Sequence, residues 1–501
     1  MQTHDEHERE RVPTGIVGLD RVLAGGFLRG DIYLVTGGPG AGKTTLGNHV
    51  AFAHTRGAAS VVYLTMLAET HGRMLAHLRR FRFFDMAQVG QRVHYLSVYD
   101  QLRDDGLSGM LSQARQLVRQ HGATLLVVDG AGLFERTSGP ELKLAEFLMA
   151  VQSQIGGLGC TTLLLSEQVG LASWPTPHLV DGIVALHDEA ANMRQTRLLE
   201  VLKLRGSDYL RGRHTFAITD EGVTVYPRLE SLVRVETLVG QRPSSAGEQH
   251  GRSRFGIPGL DEMLHGGLLS GSTTLLLGAP GAGKTTAGLH FLVEGARRGE
   301  RGLISSFHET PERLLSYADG LGLDLRKHVA EGRVQLVWRP PLEVLLDDWG
   351  GELLAVVDAH HPKRLVVEAL TDLQQVALFP QRLYEFLAAL TTALRARGVT
   401  TLLSAEIPSV VGRPPEIPLP AASASIENVL LLRYVEWHSR LRRLVSVVKS
   451  RGSGSEAEIR EFAITDQGMQ MAGTFDSADA VLTGVARARG PGGESSLEEH
   501  P

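Results

Sequence analysis

Cysteine is almost missing: Cys160 is the sole one among 501 residues. An intrachain disulfide is thereby excluded, as is a metal cage built from thiolates, and a reducing cytoplasm is the expected compartment. No apolar run is long enough to cross a bilayer, and the opening MQTHDEHERERVPTGI is charged where a secretion signal needs an apolar centre. Neither sign of charge dominates, with 51 Lys and Arg against 56 Asp and Glu for a formal net charge of -5. No global basic field therefore draws the chain to nucleic acid or to an anionic membrane. The 20 histidines offer no zinc-type spacing with one another or with Cys160. Cys160 itself stands beside TTLLLS and is expected to be a small buried apolar group.

What remains is the composition of a globular protein, 43% hydrophobic and 21% charged, in a chain long enough for two domains of ordinary size. An internal repeat fixes the organisation. TGIVGLDRVLAGGFLRGDIYLVTGGPGAGKTT, from Thr14, returns as FGIPGLDEMLHGGLLSGSTTLLLGAPGAGKTT, from Phe255, with Lys43 and Lys284 separated by 241 residues. Near the end of each copy a second block recurs, KLRGSDYLRGRHTFAITDEGV from Lys203 and KSRGSGSEAEIREFAITDQGM from Lys449, at an offset of 246. Order and spacing preserved in this way mean duplication. The reading is an N-terminal tail at 1–12, a first domain at 13–238, a polar linker at 239–254, a second domain at 255–475 and a C-terminal tail at 476–501. Within each copy short apolar runs such as DIYLVTG, SVVYLTM, TLLVVDG and TTLLLSE alternate with amphipathic segments such as PELKLAEFLMAVQSQI. Runs without polar alternation are strands buried on both faces, so the expected fold class is α/β, two tandem domains each with a mostly parallel sheet flanked by helices.

The strongest chemical signal is the segment GGPGAGKT at 37–44 and its repeat GAPGAGKT at 278–285, each between an apolar strand and a helical segment. Glycine is required where backbone amides wrap a phosphate, lysine meets the β and γ phosphates, and the threonine hydroxyl is a magnesium ligand. Expected nucleotide contacts are Gly37, Gly38, Gly40, Gly42, Lys43, Thr44 and Thr45, with Gly278, Gly281, Gly283, Lys284, Thr285 and Thr286 in the second copy. ATP and Mg2+ are the implied cofactors. An acid closing a neighbouring strand would complete each metal site: Asp129 after LLVV and Glu368 after RLVV, joining Thr44 and Thr285 as metal ligands.

With these motifs in place the chain resembles the KaiC family of the RecA/RadA superfamily along nearly its whole length. The carriers are the opening TGIxGLD, the doubled Gly25-Gly26, the late KLRGS block with FAITDEG, and the stretch from Leu430 to Gly468. The resemblance implies two RecA-like domains, a homo-hexameric ring and ATP held between subunits. Lys203 and Arg205, with Lys449 and Arg451, would then reach the phosphates of a neighbouring subunit and stabilise charge in the transition state. It implies a glutamate pair after the second strand. Here YLTMLAET leaves Glu69, and ISSFHET leaves Glu309 behind His308, as the candidate bases. It also implies a phosphorylated Ser-Thr pair, of which Ser423 alone retains a hydroxyl, so that a serine/threonine autokinase activity of the second domain would have a single acceptor. The first domain, with Asp129, is the better candidate for turnover. Two other readings stand beside this one. A helicase-like, DNA-dependent ATPase would need basic and aromatic pore loops, and Arg136, Trp174 and Arg413 are scattered singly. A nucleotide-gated scaffold would need binding without turnover. Regulatory partners are implied without being identified, and no membrane or nucleic-acid partner is expected.

Overall fold

The computed structural model describes residues 9–66, 71–134, 141–167, 177–191, 194–233, 251–342, 345–368, 370–371, 373, 379, 381–407, 425–437, 439–451 and 458–474. Two compact units emerge, one ending at Leu232 and the other beginning at Val233. Each is built on a nine-stranded sheet, and the strand order is the same in both.

In the first unit the P-loop strand Ile32–Gly37 lies between Thr161–Ser166 and Gly182–Ala191, parallel to both. The parallel part continues through Ala123–Asp129 and Ser60–Thr65 to the edge strand Val93–Ser97. On the other side the sheet turns antiparallel, through Arg194–Leu204, Arg213–Thr219 and Gly222–Tyr226. The second unit repeats this with Thr273–Gly278 between Thr400–Glu406 and Asn428–Trp437, then Arg440–Ser450, Ile459–Thr465 and Gly468–Thr474. Every residue of Ile32–Gly37, Thr161–Ser166 and Thr273–Gly278 is buried, which is why these runs show no polar alternation. The expected α/β class and the helix at Glu141–Gln154 are therefore both present. Apolar clusters cover both faces of the first sheet, and Cys160 is one of the buried residues of the second of these, its thiol pushed up to about 12 by burial.

The repeated entry motif has a local cause. Asp20 accepts hydrogen bonds from both the amide and the hydroxyl of Thr14, each at 2.7 Å, and Asp261 accepts from the amides of Phe255 and Gly256 at 2.7 and 3.0 Å. The carboxylate thus closes the turn into the short helices Val17–Val22 and Pro258–Met263. Two residues of the stretch expected to be linker, Arg252–Ser253, pair with Leu268–Leu269, just as Arg11–Val12 pairs with Phe27–Leu28.

Candidate phosphate-binding sites

Each P-loop strand ends at the sheet's carboxyl edge and hands the chain to a helix, Lys43–Thr55 or Lys284–Arg297. The preceding residues, Gly42 and Gly283, have φ of 97° and 105°. That left-handed conformation favours glycine, and the isoleucines lie close: a Cβ on Gly42 would stand 2.5 Å from Ile218 Cδ1, and one on Gly283 3.1 Å from Ile464 Cδ1, so a larger residue would also have to push these side-chain ends aside. The isoleucine of each FAIT block therefore packs on the last P-loop glycine, which explains why two motifs so far apart in sequence recur together.

The lysines are poised over the loop. Lys43 Nζ donates to the carbonyls of Gly37 and Gly38, both at 2.8 Å, and Lys284 Nζ donates to Gly278 and Ala279 at 2.9 and 3.1 Å. Burial lowers the pKa of each, against the pull of nearby carboxylates. Around Lys43 a cavity of about 300 Å3 is lined by Gly40, Thr44, Thr45, Asp129 and Glu167 among others. A phosphate in this cradle would meet backbone amides at a helix start together with one ammonium group.

Asp129 and Glu368 are buried at strand ends, but not on a strand neighbouring the P-loop strand as expected: Thr161–Ser166 and Thr400–Glu406 intervene, so each acid closes the next strand but one. Burial raises the pKa of both carboxyls. Contact with Thr44 and Tyr63 draws Asp129 back, and contact with Thr285 and Ser306 does the same for Glu368. The Tyr63 hydroxyl donates to Asp129 Oδ2 at 3.0 Å and accepts from the Asn48 amide at 3.1 Å; Asn48 also donates to the Thr44 carbonyl at 2.8 Å and accepts from the Tyr95 hydroxyl at 2.6 Å. This network orients the acid toward the threonine expected to share its cation. In the second unit Glu368 Oε1 is buried with no hydrogen-bond partner among the described residues. A dehydrated acceptor beside a threonine hydroxyl is the hard oxygen donor set that magnesium, or its bound water, would complete, so the residues fit the ion.

The remaining candidates are dispersed. Glu69 and Ser423 lie outside the described residues, as do Arg136, Trp174 and Arg413. Glu309 follows the second strand of its unit, close enough to Glu368 to raise that carboxyl's pKa, and pairs with Arg313 at 3.3 Å. Lys203 donates to the carbonyls of Pro177, His178 and Val180 at 2.9, 3.3 and 2.6 Å, and Lys449 to that of Ile426 at 2.7 Å. Strand register puts Lys203 beside Ile183, which is itself beside Leu34, whereas the P-loop begins at Gly37 beside Leu186. Lys449 is likewise beside Val429 and Leu275, three residues short of Gly278. Each lysine thus stands about 10 Å along the strands and about 10 Å across them from its own P-loop, toward the opposite end of the sheet.

A protein family described as "ATPase: KaiC" matches residues 12–230 and again 253–474. The chain belongs to the KaiC family. Its two units are KaiC-type ATPase domains in tandem. The circadian clock protein KaiC3 of Synechocystis sp. is 27% identical over 496 residues, spanning 95% of this chain and 94% of the relative. The circadian clock oscillator protein KaiC of Prochlorococcus marinus is 26% identical over 495 residues, 95% of each chain. That of Thermosynechococcus vestitus is 25% identical over 498 residues, 95% of this chain and 92% of the relative.

Four site residues escape a reading based on KaiC motifs. Glu167 and Glu406 follow equivalent strands beside the P-loop strand, and Glu406 Oε1 lies 3.3 Å from Lys284 Nζ. Aligning TTLLLSE at 161–167 with TTLLSAE at 400–406 reveals the pair. In the second unit alone, the Tyr434 hydroxyl donates to the Gly281 carbonyl at 2.6 Å and the Arg443 guanidinium sits 5.3 Å from the Tyr434 ring. The equivalents in the first unit are Asp188 and Arg197, so no ring is available there to signal the site by repetition.

Proposed function

We propose that the chain is a magnesium-dependent ATPase that binds one ATP at each P-loop and assembles into a homo-hexameric ring with nucleotide between subunits. The carrying observation is the doubled arrangement of a lysine held over the first two P-loop carbonyls, a buried acid at the end of the next strand but one, and a threonine hydroxyl in contact with that acid. Magnesium, when bound, would neutralise charge on the β and γ phosphates. Thr44 with Asp129, and Thr285 with Glu368, would hold it. The amides of the P-loop orient the phosphates, and Lys43 or Lys284 offers its ammonium to phosphate oxygen.

The position of Lys203 and Lys449 supports assembly. Each lies toward the sheet end opposite its own P-loop and so away from the phosphate of its own unit, which is compatible with the trans-acting role proposed for it together with Arg205 and Arg451. Glu69 and Glu309 are the proposed bases. Glu309 already neighbours the buried acid. Its pairing with Arg313, and that of Lys284 with Glu406, favour the second unit as the slower, regulatory site. An autokinase role for that unit would place phosphate on Ser423.

Sizing the protein with and without ATP, while following phosphate release from the parent and from Glu69→Gln and Glu309→Gln and recording intact mass, tests the proposal. ATP should shift the protein to a hexamer, and both variants should slow release. A monomer at saturating ATP and magnesium, with release unchanged in the double variant, would refute it.

A further inference from the structure

The strand Thr400–Glu406 pairs in parallel with the P-loop strand along its whole length, and its last residue is in register with the first residue of the P-loop, Glu406 with Gly278. Backbone bonds fix that end on both sides: the Ile407 amide donates to the Gly278 carbonyl at 3.3 Å, and the Glu406 amide is 3.4 Å from the Thr371 hydroxyl. The Glu406 side chain is half exposed, whereas that of Lys284 is only 10% exposed. Lys284 has three ammonium hydrogens. Two are taken by the carbonyls of Gly278 and Ala279, and the third faces Glu406 Oε1 at 3.3 Å. The position that a γ-phosphate oxygen would take on this lysine is therefore held by a carboxylate of the same unit.

We infer that Glu406 is a counter-ion latch on the second phosphate cradle, one that a triphosphate must displace from Lys284 and that lowers affinity for ATP more than for ADP. The inference rests on the nucleotide-binding reading of the P-loops given above. Its physical basis is competition between two anions for one ammonium. An isolated buried ammonium is costly, so a carboxylate from the adjacent strand stabilises the empty cradle. ATP replaces that contact and must also tolerate the displaced carboxylate beside its γ-phosphate, a like-charge approach. ADP stops at the β-phosphate and leaves room for the carboxylate to keep part of its contact. Because Glu406 is half exposed, it can swing into solvent without disturbing the strand that carries it.

In the full chain carrying Lys43→Ala and Thr44→Ala to silence the first cradle, ATP and ADP are titrated calorimetrically with magnesium into the parent, Glu406→Gln and Glu406→Ala. Both substitutions are expected to tighten ATP by about fivefold, and ADP by less than about twofold. Circular dichroism and melting confirm that the exposed substitution leaves the unit folded. Unchanged or weaker ATP affinity in both variants overturns the latch while leaving nucleotide binding intact. A gain confined to Glu406→Gln also overturns it, since the new amide would then be the cause. Failure of the parent to bind either nucleotide removes the latch together with the reading beneath it.

Discussion

His49 and His290 occupy equivalent places on the two P-loop helices, and each accepts a hydrogen bond from a backbone amide of the final hairpin of its unit. Val223 donates to His49 Nδ1 at 3.1 Å and Met469 donates to His290 Nε2 at 2.9 Å. A ring nitrogen can accept only if it is unprotonated, so both histidines must be neutral for these amide bonds to form. Burial, aided by Arg56 in the first unit and Arg297 in the second, lowers each pKa from 6.5 to about 4. The unfolded chain therefore takes up a proton at higher pH than the native one, and stability falls as pH drops from 6.5 toward 4. Between pH 7.5 and 5.0 a shift of that size is worth about 2 kcal/mol per histidine, or about 1 kcal/mol once partial solvent screening is allowed for. Each unit should accordingly melt about 2–4 °C lower at pH 5.0 on this account alone. The measurement is calorimetric melting of the parent, His49→Gln, His290→Gln and the double variant at both pH values. Glutamine can accept the same amide and does not titrate, so the double variant should lose less stability on acidification than the parent. Equal losses would show that these rings do not sense pH and would refute the reasoning.

Two further outcomes follow from buried contacts. Tyr63→Phe removes the hydroxyl that donates to Asp129 and accepts from Asn48, leaving the packing of the ring in place. The magnesium concentration needed for half-maximal ATP binding at the first site, read in a Lys284→Ala background, should rise by about fivefold, corresponding to about 1 kcal/mol for one lost hydrogen bond. No change would mean that Asp129 is oriented without Tyr63. Arg364 is fully buried, bound to Glu300 at 2.5 Å and to the carbonyls of Arg254 and Phe291 at 2.5 and 2.7 Å, with no partner for its Nη2 among the described residues. Arg364→Ala should cost about 3–5 kcal/mol of second-unit stability, because it opens a cavity and strands Glu300. Arg364→Leu, which installs the residue type that Leu125 supplies at the equivalent place, should cost less, since it fills the volume and removes the unpartnered donor. Denaturant midpoints rank the two, and equal losses would contradict this account.

The parallel half of each sheet was legible because its strands are buried on both faces and read as unbroken apolar runs, as in DIYLVTG and TTLLLSE. The P-loops and the acids Asp129 and Glu368 were legible because phosphate and magnesium chemistry fixes residue type at fixed positions on those strands. The antiparallel half was not. Arg194–Leu204 alternates buried and half-buried residues with charged ones, and its pairing with Gly182–Ala191 gives it a role that local pattern does not disclose. The late block was found as a repeated string, yet its reason is spatial: Gly222 and Gly468 have φ of 99° and 87°, and a Cβ on either would collide with His49 or His290. Glu406 escaped because it follows an apolar strand, where an acid reads as the start of a loop. The break at Gly106 inside the helix Tyr99–His121, with φ 64° and ψ -161°, does have a signal, the run DDGLSG with its Asp-Gly pair and second glycine at 109, which the reading of apolar runs passed over.

These contacts make the antiparallel half more than an edge for the sheet. At one end of it Ile218 packs on Gly42 and Val223 is bonded to His49, so the final hairpin is fastened to the P-loop helix of its own unit. Next to that hairpin, Arg194–Leu204 runs back toward the opposite end of the sheet, where Lys203 is anchored on three carbonyls. A paired β-strand transmits displacement along its length far better than a loop does, because shifting one residue would break the ladder on both sides. That ladder stops short of the lysines: the pairing with the hairpin strand ends at Glu200, ahead of Lys203, and at Ser446, ahead of Lys449, and a register shift lies beside each lysine, between Ile183 and Val184 and between Val429 and Leu430. The hairpin is thus fastened to the phosphate cradle of its own unit, whereas each lysine is held from the other side of its strand, by the carbonyls that precede Gly182–Ala191 and Asn428–Trp437.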